Sequence, residues 1–187
     1  MRPQKVPDID ILTGLTQVFR SKGYEGATLA DLAEATGLQK ASLYHRFPAG
    51  KEEMAIAVLN HLDKWVEENV FKALKDESNL PEVRLKNGID QIRTLYGRGK
   101  EVCIFRALSM EAGLELFEEQ IKNGMKEWIS TFEKIGVASQ MSPTDSQKNA
   151  LATLIQIQGS LIVARGLNDI SIFENTLKSI ENRYIGK

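Results

Sequence analysis

The side chains best suited to contact another molecule lie in residues 40–46, where small, aromatic and basic types follow one another. Ala41 and Ser42 are small enough to let a helix approach the edges of DNA bases. The phenol of Tyr44 and the imidazole of His45 can reach the phosphates beside a groove. Contact with nucleic acid is therefore the chemistry that this stretch favours.

Positive charge is concentrated in the same part of the chain. Residues 36–51 contain Lys40, Arg46 and Lys51 and no acid, a charge of +3, whereas the rest of the chain contains 21 basic and 25 acidic residues. The whole chain has a formal net charge of −1, so nucleic acid would have to bind a local patch. Three basic residues in a run are also often only a solvated face, so charge alone leaves both interpretations open.

Two short amphipathic helices are predicted to position these side chains. The first begins at Thr28, whose hydroxyl can cap the backbone while Asp31 favours the positive end of the helix dipole, and it ends at Gly37. In the second, Leu43 and Phe47 are four residues apart and share the side that faces the core. Helix, glycine turn and helix is the pattern of a helix-turn-helix, although any two amphipathic helices can meet at a glycine.

The rest of the chain is predicted to be helical too, because apolar residues recur at helical spacing and no alternating strand pattern is found. Gly23 is expected to end the first helix, and Ser142 and Ser171 are expected to cap the last two. The resulting fold class is all-α, with about nine helices. Besides the two short helices above, the predicted helical segments are residues 8–22, 52–75, 81–96, 102–111, 114–135, 142–167 and 171–184.

Composition excludes several classes of protein. Of 187 residues, 42% are hydrophobic, which is enough to form a core. The longest apolar run, residues 54–59, has six residues, where a membrane span needs about 20. Asp8 and Asp10 interrupt the position where a signal peptide needs apolar residues, which predicts a cytoplasmic protein. Cys103 is the only cysteine, so an internal disulfide and a thiolate-cluster metal site are excluded.

An enzyme is the main competing class, and the sequence offers it little. His45 and His61 are the only histidines, and neither a nucleophile elbow nor a zinc-binding His-Glu-x-x-His is present. Gly50-Lys51 and Gly99-Lys100 lack the earlier glycine of a phosphate-binding loop. We therefore predict no catalytic residue, no metal and no cofactor. A helical adaptor that binds protein rather than DNA stays open as an alternative.

The string Leu-Ala-Glu-Ala-Thr-Gly-Leu-Gln-Lys-Ala-Ser-Leu-Tyr-His-Arg-Phe-Pro, residues 32–48, closely resembles the DNA-binding signature of the TetR/AcrR family of bacterial transcriptional regulators. The resemblance covers roughly residues 9–62. The sequence Phe-Pro-Ala-Gly-Lys-Glu-Glu at residues 47–53 looks like the branch that contains the LmrA and YxaF repressors. Ala49 departs from that branch, in which a glycine is usual at this position.

The resemblance implies a homodimeric repressor that leaves a palindromic DNA operator when a small apolar effector binds. It implies a helix-turn-helix DNA-binding domain over residues 1–51 and a helical domain for effector binding and dimerisation over residues 52–187. The last two helices resemble the pair that forms the family's dimer interface. Positions that match the family's DNA contacts are Gln39, Lys40, Ala41 and Ser42 for the groove, Tyr44, His45 and Lys51 for phosphates, and Thr28 as the cap of the helix that faces the DNA backbone.

The effector pocket is predicted from side-chain type alone, since aromatic and thioether surfaces suit flat apolar ligands. For each candidate taken singly, ordinary core packing is the more frequent role. Cys103 lies among Val102, Ile104 and Phe105, which predicts a buried thiol rather than a redox sensor. The candidate pocket residues are Trp65, Tyr96, Phe105, Met110, Met125 and Trp128.

Overall fold

The computed structural model describes residues 6–186, so residues 1–5 and 187 of the two predicted domains lie outside the described residues. Helices form the regular structure of this range, and no strand occurs in it. The N-terminal helices are α1 (Asp8–Gly26), α2 (Leu29–Thr36), α3 (Lys40–Arg46) and α4 (Lys51–Val66). A π-helical turn, Glu67–Phe71, continues α4 into α5 (Lys72–Lys75). The all-α fold class is confirmed.

The remaining helices form the C-terminal half of the chain. If α4, the π-helical turn and α5 are counted as one helix, the described residues contain ten helices. A 3-10 turn at Gly97–Gly99 follows the first of the C-terminal helices. Those helices are α6 (Pro81–Leu95), α7 (Ile104–Leu108), α8 (Glu111–Leu116), α9 (Glu118–Ala138), α10 (Pro143–Gly166) and α11 (Ser171–Ile185).

The prediction that the first helix ends near Lys22 is confirmed, although α1 as a whole extends to Gly26. Gly23 has a non-helical φ of 71° and ψ of −176°, so α1 consists of two helical segments that meet at a kink there. A Cβ at Gly23 would lie 3.2 Å from the carbonyl oxygen of Ala107 in α7. The glycine therefore also permits a close approach of α7 that the sequence pattern did not reveal.

The described residues contain ten helices where about nine were predicted, because the predicted helix 114–135 is two helices. Phe117 separates α8 from α9, with a φ of −118° and a ψ of 15°. Its ring is fully buried and meets the ring of Tyr24 edge-on, at a centroid distance of 5.2 Å. The helix is therefore interrupted at a residue that packs against Tyr24, and helical periodicity in the sequence cannot indicate such an interruption.

Two predicted helix ends also need correction. Residues 136–138, expected in a loop, complete α9, and a Cβ at Gly136 would lie 2.8 Å from the Ser146 hydroxyl oxygen. Ser171 is the first residue of α11 rather than its cap, and the carboxylate of Asp169 accepts a hydrogen bond from its backbone N–H at 2.9 Å. Ser142 does cap α10 as predicted, by accepting from the Asp145 backbone N–H at 3.1 Å.

The chain packs as two compact units. The first contains the residues up to Asp63 together with Ile104–Ile121, and the second contains Lys64–Cys103 and the residues from Lys122 onward. The predicted boundary between residues 51 and 52 divides the chain by function rather than by packing, and it stays a prediction.

In the first unit, α1 and α2 approach so closely that only a glycine fits between them. Ile11, Leu15 and Phe19 of α1 are fully buried. A Cβ at Gly14 would lie 2.3 Å from the carbonyl oxygen of Ala35 in α2. The backbones therefore touch, and this contact holds the two helices that precede the turn of the helix-turn-helix.

In the second unit, α10 and α11 enclose a core with α6. Phe173 and Leu177 of α11 are fully buried, and the ring of Phe173 lies edge-on to that of Tyr96 at 6.1 Å. The guanidinium Nε of Arg93 in α6 donates to the Glu174 carboxylate at 2.7 Å. Within residues 6–186, no helix combines the length and the apolar character that crossing a bilayer requires.

Candidate nucleic-acid interface

The candidate interface begins with the capped N-terminus of α2. The Thr28 hydroxyl accepts a hydrogen bond from the Asp31 backbone N–H at 3.2 Å, and the Asp31 carboxylate accepts from the Thr28 backbone N–H at 3.1 Å. The predicted cap at Thr28 is therefore present as a reciprocal capping box. Thr28 is exposed at the surface of the first unit.

Asp31 is strongly held in its ionised form. The Lys22 ammonium donates to its carboxylate at 2.6 Å, and the Thr28 hydroxyl donates at 2.7 Å. These bonds, that from Lys22 first, lower the pKa of Asp31 from 3.8 to about 2. The charge lies at the positive end of the α2 dipole, which stabilises it further.

Gly37 then turns the chain from α2 into α3. Its φ of 66° and ψ of 14° are left-handed, and its backbone N–H donates to the carbonyls of Ala33 and Glu34. This is the conformation that glycine adopts most readily at a helix end. Gln39 follows as the N-cap of α3, and its side chain makes no capping hydrogen bond, so the amide is available to a ligand.

One side of α3 is buried and the other is open to solvent. Leu43 and Phe47 are buried in the first unit, as predicted. Tyr44 is 47% exposed, and its phenol carries no hydrogen bond to a described residue. The predicted DNA contacts of α3 that lie on the exposed side are Gln39, Lys40, Ala41, Ser42, Tyr44 and His45.

A tight turn connects α3 to α4. Gly50 has a φ of 74°, and a Cβ there would lie 3.5 Å from the Tyr44 ring. The Glu53 carboxylate accepts from the Ala49 backbone N–H at 2.8 Å. The turn therefore places Lys51, the first residue of α4, one residue after a glycine whose left-handed conformation is required.

Lys51 has partners inside the protein. Its ammonium donates to the carbonyl oxygen of Tyr24 at 2.8 Å and lies 4.4 Å from the centroid of the Tyr24 ring. Burial first, then the nearby carboxylates of Glu52 and Glu25, raise the pKa of the Tyr24 phenol. A contact from Lys51 to a phosphate, which stays a prediction, would have to share an ammonium already engaged by Tyr24.

The +3 charge of residues 36–51 is only partly available to a ligand. Arg46 is half-buried and forms an ion pair with Asp8. Lys51 is engaged by Tyr24. Of the three cations, Lys40 is the one that is exposed and makes no ion pair with a described residue. The sequence could count the charges, but it could not indicate these partners.

The six residues predicted to bind an effector do not share one unit. Phe105 and Met110 belong to the first unit and the other four to the second. Met110 is 63% exposed. Trp128 is buried between Phe71 and Phe132, with ring centroids at 5.3 and 6.2 Å, which is a core arrangement.

The other candidates differ in exposure. Trp65 and Met125 are half-buried, whereas Tyr96 is buried with its hydroxyl 3.7 Å from the sulfur of Cys103. The Gln158 amide donates to the Tyr96 hydroxyl at 3.3 Å. Cys103 is buried, as its neighbours predicted.

None of the six predicted residues lines either of two cavities that residues of the second unit form. The larger, of about 620 Å³, is lined by residues of α5, α6 and α9, including Arg84 and Thr131. The smaller, of about 500 Å³, is lined by the start of α6, the end of α9 and the end of α11. Sequence analysis missed Arg84, although its spacing from Gly88 and Ile92 places a cation on an inward-facing side of α6.

This arrangement, an all-helical chain with a capped helix, a glycine turn and an exposed second helix, defines a helix-turn-helix motif. Comparison with known proteins agrees. The sequence model of the bacterial regulatory proteins of the TetR family matches residues 11–58. The transcriptional regulator LmrA of Bacillus subtilis is 23% identical over 160 residues, 82% of this chain and 84% of LmrA. YxaF of the same organism is 25% identical over 158 residues, 82% of either chain.

Solved structures show the same fold. A TetR transcriptional regulator from Legionella pneumophila has a TM-score of 0.81 at 19% identity, covering 98% of this chain and 99% of that one. The regulator CifR, solved as a cysteine mutant with a 26-base-pair operator DNA, has a TM-score of 0.71 at 20% identity and covers 98% of each chain. The chain is thus similar over most of its length to proteins named as transcriptional regulators, and its residues 11–58 match the sequence model of the TetR family.

Proposed function

We propose that this chain is a repressor that binds a palindromic operator as a homodimer and is released by a small apolar effector. The observation that carries the proposal is the exposed side of α3, where Gln39, Lys40, Ala41 and Ser42 are all open to solvent. In a helix-turn-helix, the N-terminal residues of the second helix contact base edges in the major groove. Tyr44, His45 and Lys51 would then contact phosphates, with Thr28 at the capped end of α2.

The DNA complex of CifR, a protein of the same fold, supports the DNA-binding part of the proposal. We assign DNA binding to residues 1–51 and effector binding with dimerisation to residues 52–187. A dimer with one recognition helix per subunit needs two half-sites whose centres are about 34 Å apart, or a multiple of that distance. A repressor acts on the chromosome, so the proposal includes a cytoplasmic location.

The homodimer part is supported by an apolar side of α10 that nothing covers among the described residues. Leu154, Ile157 and Leu161 are buried on one side of this helix. At about 100° per residue, a second set of residues lies on the opposite side. These exposed apolar residues are Leu151, Ile155, Ile162 and Val163, together with Leu167 directly after the helix.

Two glycines favour a helix rather than a small molecule as the occupant of this side of α10. At about 100° per residue, Gly159 and Gly166 point in the middle of the range of directions covered by the exposed apolar residues. A Cβ at either glycine would meet no atom within 4 Å. Small residues let a second helix approach closely, and a helix with apolar residues on two opposite sides normally packs on both. The outer residues of α11 are mainly polar, so α10 would provide most of the apolar contact between subunits.

The effector part rests on family likeness together with the half-buried side chains of Trp65 and Met125. An apolar, partly aromatic compound would suit them. Tyr96, Phe105 and Trp128 are buried, so they would contact an effector only if their packing opened.

The test is selection of binding sites from random double-stranded DNA with the full chain. We expect an inverted repeat, and we expect the same repeat beside the protein's own gene if it regulates itself. An unpaired, asymmetric motif would contradict the dimeric operator. A helical adaptor of the same fold would instead yield no enriched motif and would not be retained on a nonspecific DNA column in a salt-dependent way.

A further inference from the structure

The cavity between α5, α6 and α9 is lined by two polar side chains that are more than nine-tenths buried. Its volume of about 620 Å³ falls within the ~300–1,000 Å³ typical of small-molecule sites. Arg84 of α6 is 8% exposed and Thr131 of α9 is 2% exposed, and both line the cavity. Buried polar groups are normally hydrogen-bonded, so their partners indicate what the cavity can bind.

The guanidinium of Arg84 is only partly satisfied by the protein. Its Nε donates to the carbonyl oxygen of Leu74 at 2.7 Å. Within residues 6–186, its two terminal nitrogens have no hydrogen-bonding partner and Arg84 forms no ion pair. The Arg84 charge acts at a distance on the Asp76 carboxylate and contributes to lowering its pKa. Because neither terminal nitrogen is hydrogen-bonded to that carboxylate, these nitrogens present a pair of donors to the cavity.

Thr131 is in a similar position. Its hydroxyl makes no hydrogen bond to any residue that the structure describes, although the residue is almost completely buried. A threonine inside a helix commonly donates to the carbonyl one turn earlier, and here it does not. The cavity therefore has a neutral donor in addition to the guanidinium.

The other charges of the lining decide which anion fits. Lys75 and Lys134 are cationic and Glu77 and Glu133 are acidic, so with Arg84 the lining carries a net charge of +1. Lys75 already pairs with Glu67 at 3.1 Å and Glu127 at 3.5 Å. One excess positive charge favours a singly charged ligand over a phosphate-rich one.

We propose that this cavity binds a small monocarboxylic acid by its carboxylate. The two carboxylate oxygens accept from the terminal nitrogens of Arg84, whose planar fork matches their spacing, and the Thr131 hydroxyl donates to one of them. The apolar body of the ligand contacts Leu74 and Val137. This site goes beyond the proposed function, because no residue predicted to bind the effector lines it.

Arg84 also has a structural role, which the test must separate from binding. Leu74 lies in the last turn of α5, so the hydrogen bond from Nε satisfies a carbonyl that the helix leaves without a partner. That bond does not use the terminal nitrogens. Arg84→Lys keeps a cation and a donor but loses the fork, and Thr131→Val keeps the volume but removes the hydroxyl.

The experiment is calorimetric titration of the full chain, without DNA, with acetate, butyrate and benzoate as probes. We expect at least one to bind saturably with one site per chain. Benzamide, the uncharged counterpart of benzoate, and inorganic phosphate are expected to bind at least about tenfold more weakly than the best monocarboxylate. The absence of saturable binding by all three monocarboxylates up to about 10 mM would overturn the proposal, as would equal or tighter binding of benzamide or phosphate.

The variants test the named donors. Arg84→Met should weaken the best probe by about tenfold or more, Arg84→Lys by several-fold, and Thr131→Val by about two- to tenfold. Arg106→Met makes the same chemical change at an exposed site in the other unit and should leave the affinity unchanged. If Arg84→Met does not fold, the other two substitutions still decide, because wild-type affinity in both would refute the assignment. None of these titrations depends on DNA binding, so their failure leaves the proposed function intact.

Discussion

Gln39 directly precedes α3 in the chain and Lys51 follows it, and their surroundings predict different roles in DNA binding. Gln39 is exposed with an uncommitted amide, so Gln39→Ala or Lys40→Ala should change which bases are preferred. Tyr44→Phe and Lys51→Ala should weaken specific and random DNA alike, and Lys51→Ala should reduce the salt slope by about one per subunit. The measurement is affinity for operator and random DNA over a series of salt concentrations.

Lys51→Ala needs a control because the same ammonium binds the Tyr24 carbonyl. Thermal unfolding of the variant separates loss of that internal bond from loss of a phosphate contact. Relaxed base preference in Lys51→Ala, together with a uniform loss of affinity in Gln39→Ala, would show that the two roles are exchanged.

Asp31 makes the stability of the first unit depend on pH in a defined direction. Its pKa is about 2 in the folded protein, lowered from 3.8, so the folded state favours the ionised carboxylate. The stabilisation is fully present above pH ~4 and is lost as the pH falls toward 2. Urea unfolding should therefore show a difference between the wild type and Asp31→Asn that is constant near neutral pH and shrinks below pH ~4.

Direct titration of the Asp31 carboxyl by NMR provides the check on that prediction. Lys22→Met removes the hydrogen bond that contributes most to the shift and should raise the pKa of Asp31 toward its ordinary value. A wild-type Asp31 that titrates near 3.8 would show that the network with Lys22 and Thr28 does not form.

At the scale of elements, the packing of α1 on α2 depends on Gly14. A methyl group there would lie 2.3 Å from the Ala35 carbonyl oxygen, and backbone atoms cannot move aside as a flexible side chain can. Gly14→Ala should therefore destabilise the protein by about 2–3 kcal/mol, a typical cost of overpacking. Chemical denaturation of the full chain measures this difference.

Gly26→Ala is the matched control in the same helix. A Cβ at Gly26 would lie 3.5 Å from the Lys22 Cβ, an ordinary contact, so the free energy of unfolding should change by less than about 1 kcal/mol. If both substitutions had equal effects, the close approach of α1 and α2 would not be a determinant of stability.

For the whole molecule, the exposed side of α10 predicts that assembly and operator binding fail together. Ile155 is 60% exposed, and Ile155→Glu would place a charge where a second subunit is proposed to pack. We expect sedimentation to show a monomer and the operator affinity to fall sharply, because a monomer engages one half-site. Val83→Glu, a charge at an exposed apolar residue of α6, should leave both unchanged. An Ile155→Glu protein that remains dimeric would place the interface elsewhere.

Effector binding and operator binding are predicted to weaken each other. If an effector weakens operator binding, the operator must weaken effector binding by the same factor, with a coupling of ~1–3 kcal/mol in typical cases. A compound found to bind the protein can be titrated with and without operator by following the fluorescence of Trp65 and Trp128. Equal affinities in the two titrations would show that this compound is not the inducer.

The sequence by itself determined the features that depend on neighbouring residues. The cap of α2 by Thr28, the end of α2 at Gly37 and the buried pair Leu43 and Phe47 are all local patterns, and each is present as predicted. Helix caps and turns form between residues a few positions apart. For that reason, the all-α class and the helix-turn-helix could be predicted without a structure.

Tertiary structure decided what depends on residues far apart in the chain. Lys51 meets Tyr24, Arg84 holds the Leu74 carbonyl beside a cavity, and Phe117 packs against Tyr24 where one predicted helix becomes two. Periodicity also could not divide the apolar residues of α10 into a buried and an exposed side, because apolar residues occur on both sides of that helix. Each outcome depends on which distant surface comes into contact, and a local pattern carries no information about that surface.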